Sequence, residues 1–169
     1  MTDTPAFRLL RDGFGRVREI VDGAVDGLDP GALSWRPYDK GNSIVWLVWH
    51  LTRIEDDHFA DAGGAAQVWT DQGWVGRFGL PFVPEATGYG HSSAEVDQVR
   101  VESGDLLRGY HHAVHEQIGR LLDGWDDSAL EQVVDEHWDP PVTLAVRLVS
   151  VLSDSLQHAG QARYVRGLQ

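Results

Sequence analysis

Two residues near the C-terminal end, Asp154 and His158, set the first chemical possibility in this sequence. Four positions apart, they share one face of a helix. The seam on that face reads Leu144, Arg147, Val151, Asp154, His158, Gln161, Val165, Leu168. A carboxylate on an inward stripe is costly unless it is paired, protonated or bound to a metal. Carboxylate oxygen and imidazole nitrogen at this spacing can chelate zinc, iron, nickel or manganese. The plainer alternative is a buried Asp–His hydrogen bond, or two residues at the edge of the stripe. A third ligand has to come from another helix, and His50 is the natural choice. It sits in Trp46-Leu-Val-Trp-His50-Leu, an otherwise apolar stretch where a lone histidine is more often a hydrogen-bonded core residue. Combined with the Asp–His pair, the balance moves toward a metal. Three protein ligands leave a position open for water or substrate, the catalytic pattern rather than the structural one.

Other polar clusters compete for attention. His111 and His115 are also four apart, and His112 lies between them. Their helix carries its apolar seam through Tyr110, Val114 and Leu121, so at least two of these histidines are expected to face solvent. Glu55-Asp-Asp-His58 reads as a solvated charged face, although Glu55 could support His50 from behind. No nucleophile-elbow pattern surrounds a serine, and no phosphate-binding glycine motif appears.

These residues need elements to position them, and the periodicity predicts four long helices. The first runs from about Pro5 to Gly27, with Phe7, Leu10, Phe14, Val17, Val21, Ala24 and Leu28 at alternating spacings of three and four. Thr4 is the expected N-cap, and Asp29-Pro-Gly31 ends the segment. The second helix starts at Asn42 or Ser43 and continues to about Ala62, where Gly63-Gly64 stops it. The third begins with the capping-box pattern Ser92-Ser-Ala-Glu95 and runs to about Leu122, weakened locally by Gly104 and Gly109. The fourth spans about Thr143 to Leu168. Between the second and third, residues 65–91 have no long period but carry Trp69, Trp74, Phe78, Phe82 and Tyr89. That connection is expected to pack, and could close over the end of the bundle. Trp125 to Pro141 is a connector whose 131–138 stretch could be partly extended. The expected fold class is all-α: a four-helix bundle, one domain over residues 1–169, with its long connection between helices 2 and 3.

Bulk properties narrow the function classes. With Lys+Arg 14 against Asp+Glu 26, the formal charge is −12, a field that repels phosphate backbones and argues against nucleic-acid binding. No apolar run approaches the roughly 20 residues of a membrane span. The opening MTDTPAFRLLRDGFGR lacks an apolar signal core, so a cytoplasmic location is the expectation. There is no cysteine, which excludes disulfides, thiolate metal sites and a cysteine nucleophile of the chain's own.

At this point a family resemblance enters. Asn42-Ser-Ile-Val-Trp-Leu-Val-Trp-His50-Leu-Thr-Arg-Ile-Glu55-Asp-Asp-His58 resembles the second helix of the DinB-like superfamily. The stretch from Val142 to Gly167, with Asp154, His158 and Gln161, resembles its fourth. Trp74-Val-Gly-Arg-Phe78-Gly-Leu-Pro and Thr87-Gly-Tyr-Gly-His91-Ser look like the actinobacterial branch of thiol-dependent transferases. The resemblance implies a metal held by one histidine of helix 2 and two residues of helix 4, here His50, Asp154 and His158. Many relatives carry histidine where this chain has Asp154; the branch with mycothiol-dependent maleylpyruvate isomerase uses a carboxylate there. It further implies mycothiol as co-substrate, zinc foremost among the metals, and pairing as a homodimer.

The implied activity is thiol S-transfer. A metal-bound thiol becomes thiolate near neutral pH and attacks an electrophile. Arg53, Arg147 and Arg163 are then candidate contacts for the thiol's sugar hydroxyls or the electrophile, and Trp46, Trp49, Trp69 and Trp74 could line an apolar pocket. The alternatives are a metal-dependent hydrolase on the same site, or a non-enzymatic bundle serving as a binding or dimerisation module.

Overall fold

The computed structural model describes residues 4–169; the first three residues of the opening string lie outside it. Helix α1 spans Pro5–Val25, followed by a short α2, Pro30–Ser34. Helix α3 spans Ile44–Gly63, and two single turns, α4 (Val68–Asp71) and α5 (Trp74–Phe78), follow it. Next come α6, Ser93–Gln98, and α7, Gly104–Gly124. A two-stranded antiparallel ribbon, β1 (Val133–Asp135) with β2 (Val142–Thr143), leads into α8, Leu144–Gly167. Helices α1, α3, α7 and α8 form the expected four-helix bundle. In it α8 lies beside both α1 and α3, and α7 closes the other side against the same two helices. Among the described residues no helix is long and apolar enough to cross a membrane.

Local chemistry explains most boundaries. Ser43 accepts from the Trp46 amide and starts α3, and Thr143 does the same for α8 through the Val146 amide. Ser92 and Glu95 form the reciprocal capping box. Thr4 occupies the N-cap position of α1 without capping it; its hydroxyl instead donates to Asp127 at 2.6 Å. Asp29 caps α2 by accepting from the Ala32 amide, so the segment read as a terminator also starts a helix.

Two expectations need correction. The third helix is not continuous from 92 to 122: the chain leaves α6 at Val99 and re-enters a helix only after Ser103, which accepts from the Asp105 amide. Gly104 explains the joint, because a Cβ there would lie 2.6 Å from the Val25 carbonyl oxygen; only a glycine lets α7 begin against the end of α1. Val99 and Val101 are buried in the interruption, so apolar character alone does not mark it. Second, the buried stripe of α8 runs through Leu144, Leu148, Val151, Ser155, Ala159, Ala162 and Val165. Arg147, Asp154 and His158 lie half-buried beside it, and Gln161 is exposed. Small residues at 155, 159 and 162 bring α8 close to its neighbours, and the polar residues line the edge of that contact.

The connection after α3 packs as its aromatic content implied. Trp69, Trp74 and Phe78 are buried against Tyr110 of α7. The ribbon fulfils the expectation of an extended stretch within 131–138.

Candidate metal centre

His50 lies two turns into α3, on the side that faces α8 and the Thr87–His91 loop. It is only 5% exposed, because that loop covers it. Its Nδ1 lies 2.6 Å from the Thr87 carbonyl oxygen. A carbonyl only accepts, so Nδ1 carries the proton and Nε2 keeps the lone pair a metal needs. Gly88 makes this approach possible: its φ is +90°, and a Cβ would fall 3.0 Å from His50 Nδ1 and 2.9 Å from the Trp49 ring. Trp46, one turn earlier, stacks on the imidazole at 4.6 Å with planes 17° apart and donates from Nε1 to His91 Nδ1 at 3.2 Å.

Asp154 and His158 meet His50 from α8. His158 Nε2 is 3.5 Å from Asp154 Oδ1, and its ring centroid is 4.9 Å from that of His50. One potential ligand atom from each of the three lies within 4.8 Å of the others. His158 Nδ1 donates to Gln161 Oε1 at 3.0 Å, so this imidazole too is oriented by an outer partner. Burial lowers the pKa of His50, with neighbouring His158 adding to the effect. Burial also works against a charged His158, but bonds to Asp154 and Gln161 outweigh it and raise its pKa. The bond from His158 in turn lowers the pKa of Asp154.

The residues fit a divalent cation. Asp154 Oδ2 is buried without a hydrogen-bond partner, although a carboxylate oxygen out of water needs a donor or a cation. The donor set, two imidazoles and one carboxylate, suits zinc and its neighbours. Among the described residues no other trio of such side chains converges in this way.

Two of the trio, His50 and Asp154, line one end of a cleft of about 340 Å³ between α3 and α8. Ile54, Val142 and Val146 give it an apolar wall, and the largely exposed Tyr89 and Trp138 flank its mouth. At the other end Arg147 donates to His58 Nδ1 at 2.8 Å and to Asp135 Oδ2 at 2.8 Å. A larger groove of about 600 Å³, lined by Trp35, Arg36 and Ser93, holds no converging metal ligands.

The remaining candidates scatter. Trp46 is at the centre and Arg147 in the cleft. Arg53 is enclosed: it donates to the Ala86 carbonyl and to Tyr110, lies 3.6 Å from Asp56 and covers the Trp69 ring. Arg163 caps the Gly23 carbonyl of α1. Trp74 packs on Phe78 and Tyr110 under Arg77, and Trp69 and Trp49 pack on each other.

The reading of 55–58 as a solvated face is overturned at its first two residues. Asp56 is 0% and Glu55 1% exposed. Asp56 accepts from the amides of Val68 and Trp69 and from Tyr110, pinning the connection to α3. Glu55 turns away from His50 to His111, 3.3 Å distant, and His111 is fully buried. His112 pairs with Asp22. Sequence reasoning gave no site role to His58, Thr87, His91, Asp135 or Gln161. Only two carried a signal: His58 is eight residues from His50, and Gln161 three from His158.

Comparison with known proteins bears on the fold and the family. The profile of the mycothiol-S-transferase family matches residues 9–169. A conserved protein from Enterococcus faecalis, known from its crystal structure, is 30% identical and superposes with a TM-score of 0.88 over 94% of each chain. No curated protein sequence matches. With nearly its whole length matched and its bundle shared, the chain belongs to the mycothiol-S-transferase family of DinB-like proteins.

Proposed function

We propose that the protein is a metal-dependent thiol S-transferase. In this reading a low-molecular-weight thiol, mycothiol, is activated at His50, Asp154 and His158 and attacks an electrophile held in the adjoining cleft. A divalent cation, zinc foremost and nickel, manganese or iron as alternatives, supplies Lewis acidity that holds the sulfur and favours thiolate near neutral pH. The observation that carries the reading is the convergence of three ligating groups, one with an unpartnered buried oxygen, beside a cleft that His50 and Asp154 line.

The chain's own groups do the rest. Thr87 and Gln161 hold the two imidazoles with their lone pairs free. Asp154 supplies the one formal negative charge among the three ligands. Trp46 covers His50 and keeps water from its inner side. The chain has no cysteine, so the sulfur comes from the co-substrate. In substitution the C–S bond forms as the leaving group departs and the thiol proton passes to solvent; in addition the C–S bond forms as the π electrons shift and the proton returns to the adduct. A homodimer of one-domain chains in the cytoplasm accompanies this proposal.

The test is metal content by mass spectrometry together with conjugation of mycothiol to a bimane halide. About one metal per chain and a metal-dependent conjugate are expected. Metal without conjugate, but with ester or amide hydrolysis, would favour a hydrolase. A wild type that takes up no zinc, nickel or manganese defeats the proposal.

A further inference from the structure

The cleft has two chemically different ends, and only one belongs to the candidate metal centre. His58, two turns beyond His50 on α3, lines the other end with Arg147. Arginine has only donors, so the 2.8 Å contact from Arg147 Nη1 leaves His58 Nδ1 as the acceptor. A neutral imidazole with its lone pair at Nδ1 carries its proton at Nε2. Asp57 is the group that could draw the proton to Nδ1, but its carboxylate is 4.0 Å away, beyond hydrogen-bond reach. Arg147 is itself fixed by Asp135, which also accepts from the His137 amide. No protein acceptor pairs with His58 Nε2 among the described residues, and the side chain lines the cleft.

We propose that His58 Nε2–H is a fixed donor forming a subsite for an uncharged carbonyl oxygen of the electrophile. The charge balance selects that ligand chemistry. Arg147 is matched by Asp135 and His58 is neutral, so this end offers one N–H and no unpaired cation, and the nearby carboxylates of Asp57 and Asp61 disfavour an anionic ligand. The apolar wall between the ends suits an uncharged body. The two ends lie about 12 Å apart along α3, eight residues at the helical rise. The acceptor oxygen is therefore several bonds from the carbon that meets sulfur, as in a conjugated carbonyl, rather than adjacent to it as in an epoxide.

The subsite rests on the transferase reading for its chemistry. On addition of a thiol RSH to such an electrophile, the C–S bond forms at the β-carbon and the π pair moves onto the carbonyl oxygen. The proton released by the thiol returns at the α-carbon. His58 cannot give up its only proton to this oxygen while Arg147 occupies Nδ1. It acts as a hydrogen-bond donor to the developing charge, as neutral imidazoles do elsewhere.

The experiment compares zinc-loaded wild type, His58→Leu and His58→Gln with mycothiol and two electrophiles. N-ethylmaleimide carries uncharged carbonyls; benzyl chloride carries none and releases chloride. We expect His58→Leu to lower kcat/KM about 10- to 100-fold for the maleimide and less than about threefold for the chloride, with zinc content unchanged. Gln, whose amide can donate from a similar position, should recover much of the loss. Equal losses on both electrophiles, or no loss on either, overturn the subsite. Nitrogen NMR of the histidines in metal-free protein reads the tautomer independently: a proton on Nδ1 also overturns it. Should the wild type transfer to neither electrophile, the transferase reading fails by itself. The His58 Nε2–H resonance on addition of N-ethylsuccinimide, the saturated unreactive analogue, then decides: a shift supports the subsite and an unmoved resonance overturns it.

Discussion

The Thr87 carbonyl oxygen accepts from His50 Nδ1 at 2.6 Å, so a loop 37 residues along the chain determines which nitrogen of this imidazole is free. Gly88 allows it, with a φ of +90° and no side chain to strike the ring. Gly88→Ala should strain the backbone and push Thr87 away. The expected outcome is a loss of about 1–3 kcal/mol in urea denaturation. Zinc affinity should also fall about 10- to 100-fold, as when an outer partner of a ligand is removed. Wild-type affinity in this variant would show that the loop does not set the ligand.

Single substitutions His50→Ala, Asp154→Ala and His158→Ala should each abolish stoichiometric metal while leaving the helical circular dichroism intact. Saturating metal, at about a thousand times its Kd, should stabilise the wild type by about 4 kcal/mol and do nothing for the variants. Thermal melts with and without added zinc read this directly. Equal stabilisation of all four proteins would place the metal elsewhere.

Metal-free protein should lose stability as the solution is acidified from pH 7.5 to 5.5. Burial lowers the pKa values of His50, His58, His91 and His115, with Arg147 assisting at His58 and His111 at His115. The unfolded chain takes up protons near the ordinary imidazole value of about 6.5, while the folded chain resists. Stability contributed by these four is therefore present above that value and lost below it. His158 has the opposite sign: its raised pKa contributes stability at low pH that is lost as pH rises. Four groups against one give the net direction. A melting temperature that climbs toward pH 5.5 in chelator would contradict it.

Asp56 should matter to folding more than any surface acid. Removing its carboxylate in Asp56→Ala leaves the fully buried guanidinium of Arg53 without its counter-charge and two amides without an acceptor. A loss of about 3–5 kcal/mol is expected. Asp56→Asn keeps the shape and one acceptor oxygen and should fall in between. Denaturant titration measures both, and an alanine variant within about 1 kcal/mol of wild type would mean the cluster relaxes onto water.

Periodicity identified the four bundle helices because their seams repeat every three to four residues, and the caps at Ser43, Ser92 and Thr143 were readable for the same local reason. The break at 99–103 was not, since the buried Val99 and Val101 keep the stretch apolar while the chain leaves the helix. Nor was the burial of Glu55 and Asp56. A run of acids looks solvated until Val68, Trp69 and Tyr110 arrive from elsewhere in the chain to satisfy one of them.

The site divides along the same line. The shared face of Asp154 and His158 follows from helical geometry and was fixed by the sequence alone, as was the lack of any cysteine thiol of the chain's own. Tertiary structure decided that α3 lies against α8, so that His50 completes the trio. It also decided the tautomers: Thr87 for His50, and Arg147, 89 positions away, for His58. Hydrogen bonds between distant segments leave no local pattern, and a proton's place on an imidazole depends on whichever partner the fold brings to it.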